Sequence, residues 1–246
     1  MRPALGGLFG LALFLSLPAL GAEWRVVAPG IRAASVLEGG GQAFELDLEI
    51  VRLDAVEARA RRRRTASVKE LAAGTGARVA VNGGFFDEKA ASLGLLVSGG
   101  KRLSPLRKAD WGVLFVTPQR ESRIVHTRDF DKELTVEFAI QAGPRLVVDG
   151  KPLTLKPQWD RRTAVGVRPE GRHLVVLVTA IPVSLADLAQ LMGEGLGCSE
   201  ALNLDGGSST QLWSDLEGVE PVVGFAVANG VVVVPRAPAS AQTAPP

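Results

Sequence analysis

Short apolar runs, separated by turns rich in glycine and proline, recur along most of the chain and predict β-strands. In residues 44–56 apolar side chains alternate with charged ones, which predicts one strand with a solvent-facing side. The other predicted strands cover residues 78–81, 93–97, 112–117, 124–127, 134–140, 163–167, 174–179 and 201–204. Turn residues predict hairpins at residues 98–101, at residues 147–151 and around Asn229-Gly230 within residues 222–234.

Two segments show the capping residues and the periodicity of helices. Ser67 and Glu70 form a candidate capping box for a helix that glycines close. Ser184 caps a second predicted helix, residues 184–196, in which apolar residues repeat at helical spacing. Because strands outnumber helices, we predict an α+β fold class: a single domain with a mixed or antiparallel β-sheet and a few packed helices.

The two ends of the chain differ from its middle. Residues 1–22 combine a positive start, an apolar run and small residues, which is the pattern of a cleaved secretory signal peptide; an uncleaved membrane anchor is the alternative. We therefore predict an exported bacterial protein, periplasmic or secreted, with no stable membrane span after signal removal. Residues 235–246 are rich in Pro, Ala, Ser and Thr and are predicted to be disordered, which leaves residues 23–234 as the folded domain.

Composition narrows the classes of partner. The chain has 246 residues, a net charge of +2 and no tyrosine, so neither its charge nor its aromatic content predicts nucleic-acid binding. The basic cluster at residues 59–64 is interpreted as a solvated loop. Cys198 is the only cysteine, so no intramolecular disulfide forms, and we interpret it as a buried structural thiol. The sequence gives no indication of the oligomeric state.

Two polar clusters, each at the end of a short predicted strand, carry the candidate chemistry. Residues 82–87 read Asn-Gly-Gly-Phe-Phe-Asp, and residues 203–210 read Asn-Leu-Asp-Gly-Gly-Ser-Ser-Thr. An ordinary turn needs one Gly or one Asn, so both turns carry more polar groups than turning requires. Asp87 and Asp205 provide the pair of carboxylates that glycoside chemistry uses. The amides and hydroxyls that are expected to hold an anion belong to Gly206, Gly207, Ser208 and Ser209.

Two further segments lie between these clusters. Residues 141–146 read Gln-Ala-Gly-Pro-Arg-Leu and follow a predicted strand, while residues 161–166 read Arg-Arg-Thr-Ala-Val-Gly and open another. Arg162 can pair with a phosphate through two parallel hydrogen bonds. Each segment alone is compatible with a structural turn or a surface arginine pair. The presence of all four segments in one chain is what indicates a functional site.

Taken in order, the four segments resemble the motifs of the phosphodiester glycosidase family. The resemblance rests on residues 81–86, 141–144, 162–166 and 201–209, and it extends over residues 44–229. The last segment is the most specific. Relatives often carry one more glycine before the serines, a departure that removes no reactive group. The resemblance implies hydrolysis of the bond between the anomeric carbon of a sugar and the oxygen of a phosphodiester, with a sugar-phosphate or glycan as substrate.

The resemblance also implies roles for the candidate residues. A departing phosphomonoester needs its negative charge held as the bond breaks, and one of two aspartates stabilises the oxocarbenium-like centre or activates water. Which aspartate does so stays open. The implied catalytic residues are Asp87, Asp205 and Arg162. The implied substrate-binding residues are Asn82, Gly83, Gly84, Phe86, Gln141, Thr163, Asn203, Gly206, Gly207, Ser208 and Ser209.

Two other classes of function stay open. A non-catalytic glycan-binding protein of envelope or exopolysaccharide assembly would use the same polar pocket without turnover. A metal-dependent phosphodiesterase would break the P–O bond instead of the C–O bond. His126 and His173 are the only histidines and lie outside the motifs, so a multi-histidine metal centre is excluded by count. No cofactor is expected, while an oxygen-ligated Ca²⁺ or Mg²⁺ at Asp87 or Asp205 stays open.

Overall fold

The computed structural model describes residues 22–237, which form mainly antiparallel β-sheet. Strands contain 42% of the residues and helices 13%, so the fold has more β-structure than the predicted α+β class implies. In that part of the chain the α-helices are short, Val68–Ala72 (α1) and Leu185–Gln190 (α2), and a π-helical turn, Leu191–Gly195, extends α2.

The strands are numbered in chain order. They are β1 (Arg25–Ala28), β2 (Ile31–Val36), β3 (Gly41–Asp47), β4 (Val51–Glu57), β5 (Val79–Asn82), β6 (Leu96–Ser98), β7 (Lys101–Ser104), β8 (Gly112–Val116), β9 (Ser122–His126), β10 (Phe138–Ala142), β11 (Arg145–Val148), β12 (Lys151–Pro152), β13 (Trp159–Asp160), β14 (Thr163–Val167), β15 (His173–Thr179), β16 (Val183–Ser184), β17 (Glu200–Asn203), β18 (Leu212–Ser214) and β19 (Asn229–Pro235). Hydrogen-bonded neighbours give the sheet orders β1-β2-β3-β15-β14-β17-β11-β12, β7-β6-β10-β8-β9, β18-β5-β19-β4 and β13-β16.

The eight-stranded sheet is buried on both faces. One face packs against the other large sheets through a core that includes Val165 and Leu202. The opposite face packs beneath α2 through a second core that includes Ala164 and Ala201. Because consecutive strand residues point to opposite faces, these cores fix the face on which each side chain of β14 and β17 lies.

Several local predictions are confirmed. The Ser67 hydroxyl accepts a hydrogen bond from the Glu70 amide at 3.3 Å, and the Glu70 carboxylate accepts one from the Ser67 amide at 2.9 Å, so the capping box of α1 is present. Ser184 caps α2. The predicted hairpins at residues 98–101 and 147–151 join β6 to β7 and β11 to β12.

Two predicted elements are wrong. Residues 44–56 form two strands, because a turn at residues 48–50 separates β3 from β4 and the two belong to different sheets. The alternation continues through this turn because Leu48 packs into the core, so periodicity does not show the break. The Asn229-Gly230 pair is not a hairpin turn, since both residues begin β19, which lies between β5 and β4.

The ordered chain continues past the predicted boundary at residue 234. Pro235 ends β19, and both Nη atoms of Arg236 donate to the Glu137 carboxylate, at 2.9 and 2.7 Å. Except for Ala22, the predicted signal peptide lies outside the described residues, as do residues 238–246 of the predicted tail. Among the helices of residues 22–237, none has the length and apolar character needed to cross a membrane.

Candidate active site

Asn82, the last residue of β5, is the point at which the predicted motifs meet. The residue is fully buried, and its Nδ2 donates to the backbone carbonyl of Asp205 at 2.6 Å. Its Oδ1 accepts hydrogen bonds from Thr163 Oγ1 at 2.6 Å and from the Gln211 amide at 3.1 Å. One amide side chain therefore connects the turns after β5 and β17 with the start of β14.

The Gly83-Gly84 turn is held from two sides. The Asp205 amide donates to the Gly83 carbonyl at 3.1 Å, and the Gly84 amide donates to Asn229 Oδ1 at 2.8 Å. A Cβ on Gly83 would lie 2.1 Å from Asn229 Oδ1, so this position requires glycine. The sequence interpretation missed Asn229 because an Asn-Gly pair is also the usual signal of a hairpin turn.

The Gln141 segment forms an adjoining wall. Gln141 Oε1 accepts from the Leu95 amide at 3.0 Å and the Arg107 amide at 2.9 Å. Its Nε2 donates to the Arg107 carbonyl at 2.8 Å and to Thr127 Oγ1 at 2.9 Å. These bonds use the full capacity of a side-chain amide, so Gln141 joins loops of the protein, and a hydrogen bond to substrate would require one of them to break.

Asn203 connects the same wall to the second cluster. Its Nδ2 donates to the carbonyls of Gly143 at 3.1 Å and Leu204 at 2.7 Å. Among the described residues, Asn203 Oδ1 and the hydroxyl of Thr210 are buried without a hydrogen-bond partner. Buried polar atoms are usually paired, so Asn203 Oδ1 can accept a hydrogen bond from water or a ligand, and the Thr210 hydroxyl can donate or accept one.

Asp205 is the partly buried carboxyl of the cluster. Burial raises the pKa of Asp205, and this is only partly offset by the Ser209 hydroxyl and by the Gly206 amide, which lies 3.0 Å from Oδ1. The side chain therefore keeps its proton to a higher pH than an exposed aspartate does. A carboxyl of this kind is suited to donate a proton to a departing oxygen.

The turn after Asp205 does not form the expected cradle of backbone amides. The Gly206 amide donates to the Asp205 carboxyl, and the Gly207 amide donates to the Arg161 carbonyl at 2.8 Å. Both predicted amides are therefore used within the protein. The Asp205 carboxyl and the Arg161 carbonyl supply these partners, which the glycine pair in the sequence does not reveal.

The solvent side of this turn carries hydroxyls and a carboxylate. Ser208 is exposed and Ser209 is partly exposed. Gly207 has a φ of +62°, and a Cβ there would lie 2.7 Å from a carboxylate oxygen of Asp160. Asp160, which the sequence interpretation did not select, therefore borders the turn that follows Asp205.

Arg162 and Thr163 point to opposite faces of the sheet. Thr163 meets Asn82, whereas Arg162 lies on the face that carries α2, where its Nε donates to the Val183 carbonyl at 3.1 Å and its Nη2 donates to the Gln158 carbonyl. Burial lowers the pKa of the Arg162 guanidinium. Through these contacts Arg162 holds the segment before β14 against β16. A contact between Arg162 and a substrate phosphate stays a prediction.

Asp87 has its own local partners. Its Oδ1 accepts from the Lys89 amide at 2.9 Å and from the Ala91 amide at 2.8 Å, so the carboxylate closes the turn that follows the first cluster. Within residues 22–237 no hydrogen bond joins Asp87 to Asp205. The structure therefore ties the turn of Asp205 to Asn82 and leaves Asp87 in a separate loop.

Phe85 lies beside the Gln141 segment, whereas Phe86 packs with the apolar residues around α1. The ring centroids of Phe85 and Trp111 are 4.9 Å apart. Trp111 also covers Gly143, where a Cβ would lie 2.7 Å from the indole Cδ1. Trp111 was not selected from the sequence, and its position directly before β8 gave no signal of this contact.

The histidines and acidic residues do not form a metal cluster in the described part of the chain. Residues 22–237 contain no group of three or more His, Cys, Asp and Glu placed to hold a metal ion. His126 Nε2 lies 2.8 Å from Asp110, and His173 Nδ1 lies 2.8 Å from Glu170. An oxygen-ligated Ca²⁺ or Mg²⁺ that uses Asp87 or Asp205 stays open.

Solved structures share this fold, and one of them is a glycosidase catalytic domain. The catalytic domain of zebrafish N-acetylglucosamine-1-phosphodiester alpha-N-acetylglucosaminidase matches with a TM-score of 0.64 and 18% identity, over 90% of this chain and 85% of that chain. A hypothetical protein from Synechocystis matches with a TM-score of 0.58 and 16% identity, over 87% of this chain and 61% of that chain. At these identities the similarity is one of fold.

A family model described as phosphodiester glycosidase matches residues 75–234, which is more than half of the chain and includes all four motif segments. The chain therefore belongs to the phosphodiester glycosidase family. A sequence relative is the uncharacterized protein YigE of Escherichia coli, 28% identical over 145 residues, or 52% of this chain and 55% of that protein. The chain thus spans about half the length of this relative.

Proposed function

We propose that the protein is an exported hydrolase that cleaves the anomeric C–O bond of a sugar-1-phosphodiester in an envelope or extracellular glycan. The observation that carries the proposal is the convergence of motif segments around Asn82, whose side chain binds the Asp205 carbonyl and the Thr163 hydroxyl, next to an Asp205 carboxyl that the Ser209 hydroxyl contacts. Membership of the phosphodiester glycosidase family supports the reaction class. The signal-like residues 1–22 support export.

In this proposal Asp205 acts on the leaving group. Its raised pKa lets it hold a proton, which it donates to the phosphate oxygen as the anomeric C–O bond breaks. The Ser208 hydroxyl donates a hydrogen bond to the phosphate and helps to hold its charge, whereas the Ser209 hydroxyl can do so only by giving up its bond to the Asp205 carboxyl. Water then attacks the anomeric carbon, and the proton that this water loses restores Asp205. The products are a free sugar and a phosphomonoester, so one water molecule is consumed for each bond cleaved.

Fixed dipoles make this arrangement effective. Asn82 and Thr163 are fully buried, and their bonds leave the Asp205 turn little freedom to reorganise. A preorganised polar site stabilises developing charge without a further cost of orientation. The substrate is expected to contact the exposed side of the Asp205 turn, whereas the buried side chains of Asn82 and Thr163 hold the turn in position.

The test is hydrolysis of a panel of sugar-1-phosphodiesters by the purified mature protein. Free sugar is measured for the unsubstituted protein, for Asp205→Asn and for Asp149→Asn, a matched control in the exposed β11–β12 turn. We expect loss of about a hundredfold or more in kcat for Asp205→Asn, the size of effect typical of a general acid, and no loss for the control. Equal rates for all three proteins would refute the assignment of Asp205.

Two further measurements separate the alternatives. In ¹⁸O-labelled water, C–O cleavage places the label in the sugar, whereas a phosphodiesterase that breaks the P–O bond places it in the phosphate. Hydrolysis that stops on addition of a chelator and returns with Ca²⁺ or Mg²⁺ would favour an oxygen-ligated metal site. Saturable binding of the panel without any product would favour the non-catalytic glycan-binding protein.

A further inference from the structure

The basic cluster at residues 59–64, which the sequence pattern indicates to be a solvated loop, lines a cavity at the surface of the molecule. This cavity has a volume of about 420 Å³. Its lining residues are Arg59, Arg63, Arg64, Lys89, Ala90 and Ala91. In the part of the chain that the structure describes, no carboxylate and no aromatic side chain lines this cavity. We call it the basic pocket.

The positive charge of the basic pocket is largely uncompensated. Arg63 pairs with Glu70, but both side chains are about half exposed, so water weakens this ion pair. Among the described residues, no carboxylate forms an ion pair with Arg59, Arg64 or Lys89. Cations that line one cavity repel each other, and a concave surface concentrates their field. An anion in the pocket would relieve this repulsion, so the pocket is expected to attract anions.

Two of the arginines are held in place by the loop that follows Asp87. The Arg59 Nη2 donates to the Ala90 carbonyl at 2.8 Å, and the Arg64 Nη2 donates to the Glu88 carbonyl. A guanidinium has five N–H donors, so each of these arginines keeps donors that the bond to the backbone does not use. Because the two side chains are already ordered, less conformational entropy is lost when they bind a ligand.

The loop itself is fixed in an unfavourable backbone conformation. Ala90 has a φ of +60°, in the left-handed region that residues with a Cβ avoid. The Asp87 carboxylate accepts from the amides of Lys89 at 2.9 Å and Ala91 at 2.8 Å, and the Ala90 amide donates to the Asp87 carbonyl at 2.8 Å. Backbone strain of this kind is concentrated at ligand clamps and active sites. The strained loop keeps Lys89 at the same cavity as the arginines.

We propose that the basic pocket binds the phosphate groups of an anionic polymer whose phosphodiesters join sugars or polyols. Guanidinium groups match phosphate oxygens through two parallel hydrogen bonds, and the cavity is far larger than one phosphate, so it has room for a segment of such a polymer. Nucleic acid is a poorer match, because the lining has no aromatic side chain on which bases could stack. A membrane surface is also a poorer match, because among the described residues none of the exposed large apolar side chains lies in residues 58–66 or 87–91.

The test is calorimetric titration of the purified protein with a glycerol phosphate hexamer at low salt. This probe has no anomeric carbon, so the proposed hydrolysis cannot consume it, and each of the two proposals can fail without the other. We expect Arg64→Gln combined with Lys89→Gln to weaken binding about tenfold and to make it less dependent on salt. Lys89→Gln alone leaves the arginine contacts with the loop in place and should weaken binding about threefold. Arg64→Lys keeps the charge and should weaken binding less than Arg64→Gln.

Lys101→Gln combined with Arg102→Gln is the matched control, because it removes one lysine and one arginine from exposed positions of the β6–β7 hairpin. It should leave the affinity unchanged. Absence of binding, or equal weakening by the two double variants, would overturn the basic pocket as a binding site. Equal affinity for hexaglutamate would overturn its selectivity for phosphate. Tighter binding of hexathymidylate or of phosphatidylglycerol vesicles, lost in Arg64→Gln with Lys89→Gln, would assign the pocket to nucleic acid or to a membrane instead.

Discussion

Replacement of Asn82 by alanine should destabilise the fold strongly, because it leaves three buried groups without a partner. These groups are the Asp205 carbonyl, the Thr163 hydroxyl and the Gln211 amide, at 2.6, 2.6 and 3.1 Å from the Asn82 side chain. An unsatisfied buried group costs about 1–3 kcal/mol, and rotation of the hydroxyl or entry of water recovers part of this. We therefore expect a loss of about 3–6 kcal/mol in the free energy of unfolding.

The measurement is urea unfolding of Asn82→Ala beside the unsubstituted protein, with thermal unfolding as a second readout. For a domain of this size each kcal/mol shifts Tm by about 2–4 °C, so the expected fall in Tm is about 6–24 °C. Thr163→Val removes one bond from the same network and leaves Asn82 Oδ1 paired with the Gln211 amide, so it should cost only about 1 kcal/mol. If Asn82→Ala cost no more than Thr163→Val, the argument that Asn82 holds these segments together would fail.

Three further predictions concern ionisable groups. Because the folded chain raises the pKa of Asp205, its carboxylate opposes folding increasingly as the pH rises above about 4. Asp205→Asn should therefore raise Tm at pH 7 and have little effect below pH ~4; lower stability of this variant at pH 7 would contradict the assignment. Burial alone would raise the pKa of Glu45, but hydrogen bonds from Arg32 and Arg168 outweigh it and lower that pKa. The ionised Glu45 therefore stabilises the fold at neutral pH, and this stabilisation is lost as the pH falls below about 4. Arg168→Met should lower the free energy of unfolding, measured with urea, by about 2–3 kcal/mol at pH 7 and by less at pH ~3. A loss that is the same at both pH values would count against the Arg168–Glu45 ion pair. Burial raises the pKa of the Cys198 thiol to about 12, so iodoacetamide at pH 8 should label it only after denaturation, as measured by mass spectrometry; rapid labelling of the native protein would refute its burial.

Local signals in the sequence predicted local structure well. The Ser67 capping box, the Ser184 cap and the Asp149-Gly150 hairpin depend on neighbours within a few residues, and all are present. The strands at residues 163–167 and 174–179 were also predicted with boundaries close to those of β14 and β15. In each case the residues that decide the conformation lie next to each other in the chain.

The errors arise where distant residues decide the outcome. Asn229 has the sequence signal of a turn, but its side chain binds the Gly84 backbone and its own backbone begins a central strand. Strand alternation turns Arg162 to the face opposite Thr163, which its position in the motif does not show, and its contact with a phosphate stays a prediction. The amides of Gly206 and Gly207 were expected to be free, and both have partners that only the folded chain supplies. Sequence motifs therefore indicated which segments of the chain meet more reliably than the contacts that each residue makes there.

The position of β19 has a consequence for the order in which parts of the fold can form during synthesis. This strand is the last one described, yet it lies between β5 and β4, and its first residue holds the Gly84 backbone. A chain synthesised from its amino end therefore has neither a finished four-stranded sheet nor an anchored Gly83-Gly84 turn until residues 229–235 have been made. Formation of the candidate active site is thus coupled to the synthesis of β19, and a chain that stops before residue 229 is expected to lack the anchored Gly83-Gly84 turn, however much of its remaining sheet has formed.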